Sequence, residues 1–229
     1  MIKGYVGTYG SGKTLWLTKD ALWFFQRGYK VYSNTPIWGF YKKKPILSTF
    51  IYNDDIPKFL TSLSWGSDPI LLIVDEASDV FNSYDYKAIP KEIYNALKQS
   101  RKFGVHLFYT SQRHQDVVTR LRENATIIYN CDTMFRFAKS LKLYRAIGVD
   151  QNYFSDNAKS KQIKSYIKRR RFAFHFKIKQ FFSHYMTQFV VGDKQFYDYF
   201  KTLIGDPEKY TIEEIIANSK LHKDIEPPL

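Results

Sequence analysis

Several stretches of the chain are apolar at nearly every position, and the intervals between them carry apolar residues at helical spacing. Ile70-Leu71-Leu72-Ile73-Val74 is the clearest of these runs. A strand that is apolar at consecutive positions is buried on both faces, as in a parallel sheet covered by helices, so this run predicts an interior strand. Val105 to Tyr109 and Thr126 to Cys131 read as further strands, Ile2, Tyr5 and Val6 as a short one, and Lys30 to Ser33 as one closing at Asn34. Between them, Leu15, Leu17, Leu22 and Phe25 give Thr14 to Phe25 a helical pattern, and Gly28 is placed to end it in a left-handed turn. Asp54 or Asp55 caps a second helix with Pro57 in its first turn and Gly66 after its end. Pro90 opens a third that runs to about Ser100 with Ile93, Ala96 and Leu97 inward, and Gln115 to Glu123 predicts a fourth with Val117, Val118 and Leu121 inward. Thr35 to Asn53 mixes prolines, glycine, lysines and aromatics, which predicts a long loop with a short strand near Leu47 to Ile51. Strands alternating with helices make an α/β fold with a mainly parallel central sheet flanked by helices.

The pattern changes after Asp132. Thirteen basic residues from Arg136 to Lys179 meet few acids, and Phe172, Phe174, Phe176 and Ile178 alternate with Ala173, His175 and Lys177 as in a strand with one buried face. We therefore expect a core over 1–132, a basic α+β appendage over 133–221 with hairpins against the main sheet, and a flexible tail over 222–229. Phe196, Tyr199, Phe200 and Leu203 share a helical face that Gly205 ends, and Thr211-x-x-Glu214 is a capping box. The 229 residues, 44% hydrophobic, suffice for one well-buried domain with an appendage. A formal charge of +13 favours a polyanionic partner, although a basic surface also serves membranes and solubility. Lys42-Lys43-Lys44 is a candidate nucleic-acid contact but reads first as a solvated loop tip, and Lys168 to Arg171 is equally a candidate nucleic-acid contact and a charged edge strand that resists aggregation. The single Cys131 excludes an internal disulfide. No signal peptide and no run of about twenty apolar residues is visible, which predicts a chain that stays inside the cell without a membrane span.

The candidate chemistry begins at Gly7-Thr8-Tyr9-Gly10-Ser11-Gly12-Lys13-Thr14, which fits G-x-x-x-x-G-K-[ST] at every fixed position. Glycines at Gly7, Gly10 and Gly12 let backbone N–H groups curl around an anion, with Ser11 in the same loop. Lys13 reaches the outer phosphates and the Thr14 hydroxyl holds Mg²⁺. The strand ending in Asp75-Glu76 places two carboxylates on the ligand edge of an open α/β sheet, beside the phosphate loop if the two strands are near neighbours. Asp75 would serve the metal shell through water, and Glu76 would orient and deprotonate the attacking water. Thr110-Ser111-Gln112 ends the next strand on that edge, where Gln112 suits a residue that senses the γ-phosphate. ATP is preferred to GTP because no N-K-x-D-like stretch follows.

A phosphate loop, a strand ending in Asp-Glu and a strand ending in Gln, in that order, resemble the FtsK-HerA superfamily of DNA-pumping ATPases. Within it, Gly28 to Asn34, Leu71 to Ala77, and Ser100 to Gly104 ahead of Thr110-Ser111-Gln112 resemble the zonular occludens toxin (Zot) family, which includes assembly ATPases of filamentous phages. A second resemblance is to packaging ATPases of tailless icosahedral viruses with inner membranes. The match covers Met1 to Asp132. It implies a P-loop NTPase of RecA and FtsK-HerA type that binds ATP and Mg²⁺ and moves viral or mobile-element DNA during virion assembly. Arg101 stands where these ATPases carry a basic residue that reaches a neighbouring subunit's nucleotide, with Arg113, Arg120 and Arg122 as rivals. A residue acting in trans implies a homo-oligomeric ring, commonly a hexamer. The resemblance further implies the host cytoplasm, at the membrane face or a virion vertex, and a capsid or membrane-protein partner. Phage assembly members usually carry a membrane span after the ATPase domain. This sequence shows none, which shifts weight from extrusion to packaging into a preformed capsid. Two other classes share the phosphate loop: a nucleotide-gated scaffold with slow turnover on a capsid or membrane protein, and a small-molecule kinase, for which a glutamate poised on water would be counterproductive.

Overall fold

The computed structural model describes residues 1–63, 68–84, 89–100, 102, 104–134, 143–149, 173–176, 184–185, 198 and 214. Their centre is the apolar run at Ile70–Val74, here strand β6 in chain order, in which all five residues are buried. Leu71 and Ile73 pack on one face with Leu15, Leu22 and Phe108, while Leu72 and Val74 pack on the other with Ile56, Leu97, Leu107 and Leu121. Successive side chains of a strand leave opposite faces, so one five-residue run nucleates two cores.

The other strands are β1 (Ile2–Val6), β2 (Lys30–Ser33), β3 (Trp38–Tyr41), β4 (Lys44–Leu47), β5 (Thr49–Phe50), β7 (Val105–Ser111), β8 (Ile127–Met134), β9 (Leu143–Val149) and β10 (Ala173–Phe176). Among the described residues the main sheet has eight strands in the order β10-β9-β8-β1-β7-β6-β2-β5. From β8 to β5 every pairing is parallel, and β9 and β10 join antiparallel at the other end. The mainly parallel α/β sheet expected from the apolar runs is therefore present. The described strands after residue 134 lengthen this same sheet as antiparallel neighbours, and the alternation around Phe174 and Phe176 corresponds to β10.

Helix α1 (Lys13–Gln26) covers one face, and α2 (Ile56–Thr61), α3 (Lys91–Gln99) and α4 (Thr119–Asn124) cover the other. The end of α1 follows from Gly28, whose φ of 76° closes the helix as its N–H donates to the Phe25 carbonyl while that of Tyr29 donates to Phe24. Among the described residues no helix is long and apolar enough to cross a membrane.

Three local readings differ from the structure. Thr35 to Asn53 contains the hairpin β3–β4 as well as the short strand, paired from Trp38 opposite Leu47 to Tyr41 opposite Lys44. Two-residue hairpin turns of this hand announce themselves by Asn-Gly or Asp-Gly. Here Lys42 and Lys43 occupy the turn at φ 48° and 66°, so the usual signal is missing. The helix expected over Gln115 to Glu123 is a short 3₁₀ turn followed by α4, because Val118 donates its N–H to the Phe81 carbonyl and Val117 bridges Asn82 in extended form. Asp55 stands at the N-cap of α2, but its side chain makes no capping bond. Gly66, Arg101, Lys168 to Arg171, the helix around Phe196 to Leu203 and the tail lie outside the described residues, as does the Thr211 capping box apart from Glu214.

A left-handed conformation costs an L-residue about 1–2 kcal/mol, of which glycine's extra chain entropy takes back part. Lys43→Gly is expected to stabilise the fold by about 0.5–1 kcal/mol in urea unfolding. A loss of stability would mean that the lysine side chain makes a contact worth more than the strain.

Candidate nucleotide site

The phosphate-loop sequence forms the turn between β1 and α1. It starts where the Gly7 N–H donates to the Ser111 carbonyl at 3.3 Å and tightens where the Ser11 N–H donates to Thr8 at 3.1 Å. Gly12 then enters α1 at φ 84°. A Cβ there would come within 2.4 Å of the Tyr144 ring, and one on Gly7 within 2.3 Å of the Cys131 carbonyl oxygen, so both positions admit glycine alone. The Gly10 carbonyl accepts the Thr133 hydroxyl at 3.0 Å. The loop is thus shaped from outside by β8 and β9. Ser11 is 1% exposed and its Oγ is a buried atom without a hydrogen-bond partner. Lys13 is the first residue of α1 and donates through Nζ to the Thr8 carbonyl at 3.4 Å, across the loop.

The next residue reaches a different strand. Thr14 Oγ1 lies 3.1 Å from both carboxylate oxygens of Asp75, which directly follows β6. The strand order explains how: β1 and β6 are separated by β7 alone, so α1, starting at the end of β1, leans over the end of β6. Asp75 also accepts the Thr110 hydroxyl at 2.6 Å and the Thr35 hydroxyl at 3.4 Å. Its main chain is held by Asn34, which accepts the Asp75 N–H at 2.7 Å and donates to the Asp75 carbonyl at 2.9 Å. Glu76 adopts φ 50°, a left-handed conformation unusual for glutamate. Its N–H donates to Thr110 Oγ1 at 2.8 Å, while its Oε1 accepts the Gln112 N–H and the Ser78 hydroxyl, each at 3.3 Å.

Lys13, Thr14, Asp75, Glu76 and Gln112 therefore meet at one edge of the sheet. Gln112 touches Glu76 through its backbone amide. Of the rivals to Arg101, the Arg120 guanidinium stacks 4.5 Å from the Tyr94 ring centre and Arg122 donates to Thr119 in its own helix. Sequence reasoning singled out neither Asn34 nor Thr35 and gave Thr110 no separate role. All three end the strands on either side of β6, and neighbourhood across the sheet is the one thing a linear pattern does not display.

No protein-family model and no curated protein matches the chain. Solved structures do. The N-terminal domain of zonular occludens toxin from Neisseria meningitidis covers 81% of this chain and 98% of its own, with a TM-score of 0.56 at 19% identity. The genome packaging NTPase B204 of Sulfolobus turreted icosahedral virus 2, in complex with ATP-γ-S, covers 67% and 94%, with a TM-score of 0.50 at 18% identity. The same protein in complex with sulfate matches with a TM-score of 0.50 at 18% identity, over 67% and 93%. The fold is that of a P-loop NTPase. At such identities the likeness is one of fold.

Within this P-loop NTPase fold the electrostatics of the carboxylates are set by burial. Burial raises the Asp75 carboxyl above the ordinary aspartate value, and the Thr110, Thr14 and Thr35 hydroxyls and the Lys13 charge pull back against it. Burial also raises Glu76, opposed by Lys13 and reinforced by the Asp75 charge, with the Gln112 N–H and Ser78 hydroxyl favouring the ionised form. Asp79 is raised by burial and by Asp75. The Thr14 and Asp75 oxygens are hard donors of the kind Mg²⁺ takes, alongside water and phosphate oxygen. The curled loop and Lys13 suit a polyphosphate. The residues present fit both groups.

A carboxyl raised in the folded state binds its proton more tightly there than in the unfolded chain. Stability then falls as pH rises from about 4, the unfolded aspartate value, through the raised folded value, and the full penalty persists at neutrality. Asp75→Asn is accordingly expected to melt higher than the native protein at pH 7, with the advantage shrinking as pH falls through the raised folded value and gone below about 4. A melting temperature that falls at pH 7 would show that the carboxylate's hydrogen bonds outweigh its burial.

Proposed function

We propose that this chain is an ATP-hydrolysing motor that moves viral or mobile-element DNA during virion assembly, by packaging or extrusion. The observation that carries the reading is the 3.1 Å contact between Thr14, at the end of the phosphate loop, and Asp75, with Glu76 next in the chain and Gln112 directly after the intervening strand. The likeness to a viral genome packaging NTPase and to the zonular occludens toxin domain supports it at the level of fold. The charge of +13 supports a nucleic-acid partner.

The residues divide the work as follows. Amides of Gly10, Ser11 and Gly12 and the Lys13 ammonium hold the β- and γ-phosphates of ATP. Thr14 and, through water, Asp75 would hold a Mg²⁺, which when bound would neutralise charge on the phosphate oxygens. Glu76 orients a water molecule in line with the γ-phosphorus and takes its proton as the new P–O bond forms and the bond to the β–γ bridging oxygen breaks, giving ADP and phosphate. The raised pKa of Glu76 makes it a better base than an exposed carboxylate. Gln112 reports the departure of phosphate to β7. Arg101 acts on the nucleotide of a neighbouring subunit in a homo-oligomeric ring, commonly a hexamer in the ATPases it resembles. The ring works in the host cytoplasm, docked on a capsid or membrane protein.

Phosphate release by the native protein and by Glu76→Gln, with and without single- and double-stranded DNA at low salt, tests this reading. Glu76→Gln is expected to lower turnover about 10²–10⁴-fold while still binding nucleotide. Stimulation by DNA should fade between about 50 and 200 mM salt as phosphate contacts are screened. Release indifferent to DNA would leave an ATPase with another partner for the basic half, and nucleotide binding without release would favour the slow scaffold. Arg101→Ala is expected to lower turnover about 10³–10⁵-fold, and mixing it with Glu76→Gln protein should restore activity if the arginine acts across a subunit boundary. Mixtures as inactive as their components would remove Arg101 from that role.

A further inference from the structure

The geometry points to Thr110 as a positioning residue that sets both carboxylates of the site at once, an inference that rests on the metal and water roles proposed for Asp75 and Glu76. Thr110 lies on β7 beside Tyr5 of β1 and is fully buried. Its hydroxyl donates to Asp75 Oδ1 at 2.6 Å, the shortest of the three threonine contacts to that carboxylate. The same oxygen accepts the Glu76 N–H at 2.8 Å. A hydroxyl has one proton, and an ionised carboxylate only accepts, so donation to Asp75 and acceptance from Glu76 is the one arrangement that satisfies both bonds.

Two consequences follow from this single group. The Glu76 main chain, bent to φ 50° and ψ 63°, keeps that bend with its N–H satisfied, and the residue is gripped a second time where the N–H of Gln112, directly after β7, reaches Glu76 Oε1. Asp75, in contact with the Thr14 hydroxyl, is held by a second hydroxyl donor from β7. Thr110 therefore ties the metal carboxylate and the base to the strand that Gln112 directly follows. Without its hydroxyl the Glu76 N–H and Asp75 Oδ1 both lose a partner in a partly buried place. A threonine kept only for packing would be replaced by valine, which has nearly its shape, with no effect on either carboxylate.

The test compares native protein, Thr110→Val and Thr110→Ser in the full chain. The measurements are thermal melting, affinity for a fluorescent ATP analogue with and without Mg²⁺, and phosphate release against ATP concentration. We expect Thr110→Val to bind the analogue without Mg²⁺ within about twofold of native, because the phosphate loop is untouched. It should lose most of the Mg²⁺-linked gain in affinity and lower kcat about 10–100-fold with KM within about threefold. Thr110→Ser, which keeps the hydroxyl, should return both properties to within about threefold of native. A valine variant equal to native in both, or a serine variant as impaired as valine, would overturn the inference. If Thr110→Val does not fold, Thr110→Ala against Thr110→Ser decides by the same comparison. A native protein that releases no phosphate but binds nucleotide more tightly with Mg²⁺ would sink the motor reading and leave Thr110 to be judged on the metal-linked affinity. A native protein with neither property would overturn both.

Discussion

The arrangement turns on one contact, the Thr14 hydroxyl against the Asp75 carboxylate, because it joins a helix that follows β1 to a strand two places away. Everything around it serves that distance. Five consecutive buried residues in β6 fix the strand in the interior, the β7 strand spaces it from β1, and the tight loop through Gly12 starts α1 where its second residue overhangs Asp75. Hydrogen bonding of a charged group in a low-dielectric setting is strong when complete and costly when partial. Three threonine hydroxyls and the two-sided hold of Asn34 on the main chain complete it here.

That completeness has an energetic reading. Burial works against ionised Asp75, Glu76 and Asp79 together. Among the described residues, Lys13 is the one cation whose charge opposes this at Asp75 and Glu76. Positive charge delivered from outside relieves buried carboxylates of this kind, the situation in which binding free energy becomes folding free energy. Strain is confined in the same way: the left-handed Glu76 sits where one hydrogen bond to Thr110 of β7 and one from Gln112 just after it hold it.

Most of the core was legible because its signals are local. Consecutive apolar residues mark β6, glycine spacing marks the phosphate loop, and Gly28 marks the end of α1. The hairpin β3–β4 was not, since Lys42 and Lys43 fill a turn whose ordinary sign is Asn-Gly. The break before α4 was hidden as well, because Val117 and Val118 carry a helical spacing but are drawn into extended form by Phe81 and Asn82. In the candidate site the motif residues could be named from their spacing. Asn34, Thr35 and the role of Thr110 could not, because what makes them part of the site is which strands lie beside β6.

The phosphate loop is also bounded by residues that come more than a hundred positions later. Gly7 lies against the Cys131 carbonyl, Gly10 accepts from Thr133, and Gly12 lies under the Tyr144 ring. The loop's conformation therefore belongs jointly to the first and the later parts of the chain. In evolution, Gly12 and the side chain at 144 are tied to each other, and a recombination joining this loop to a foreign second half would deliver the motif without its shape.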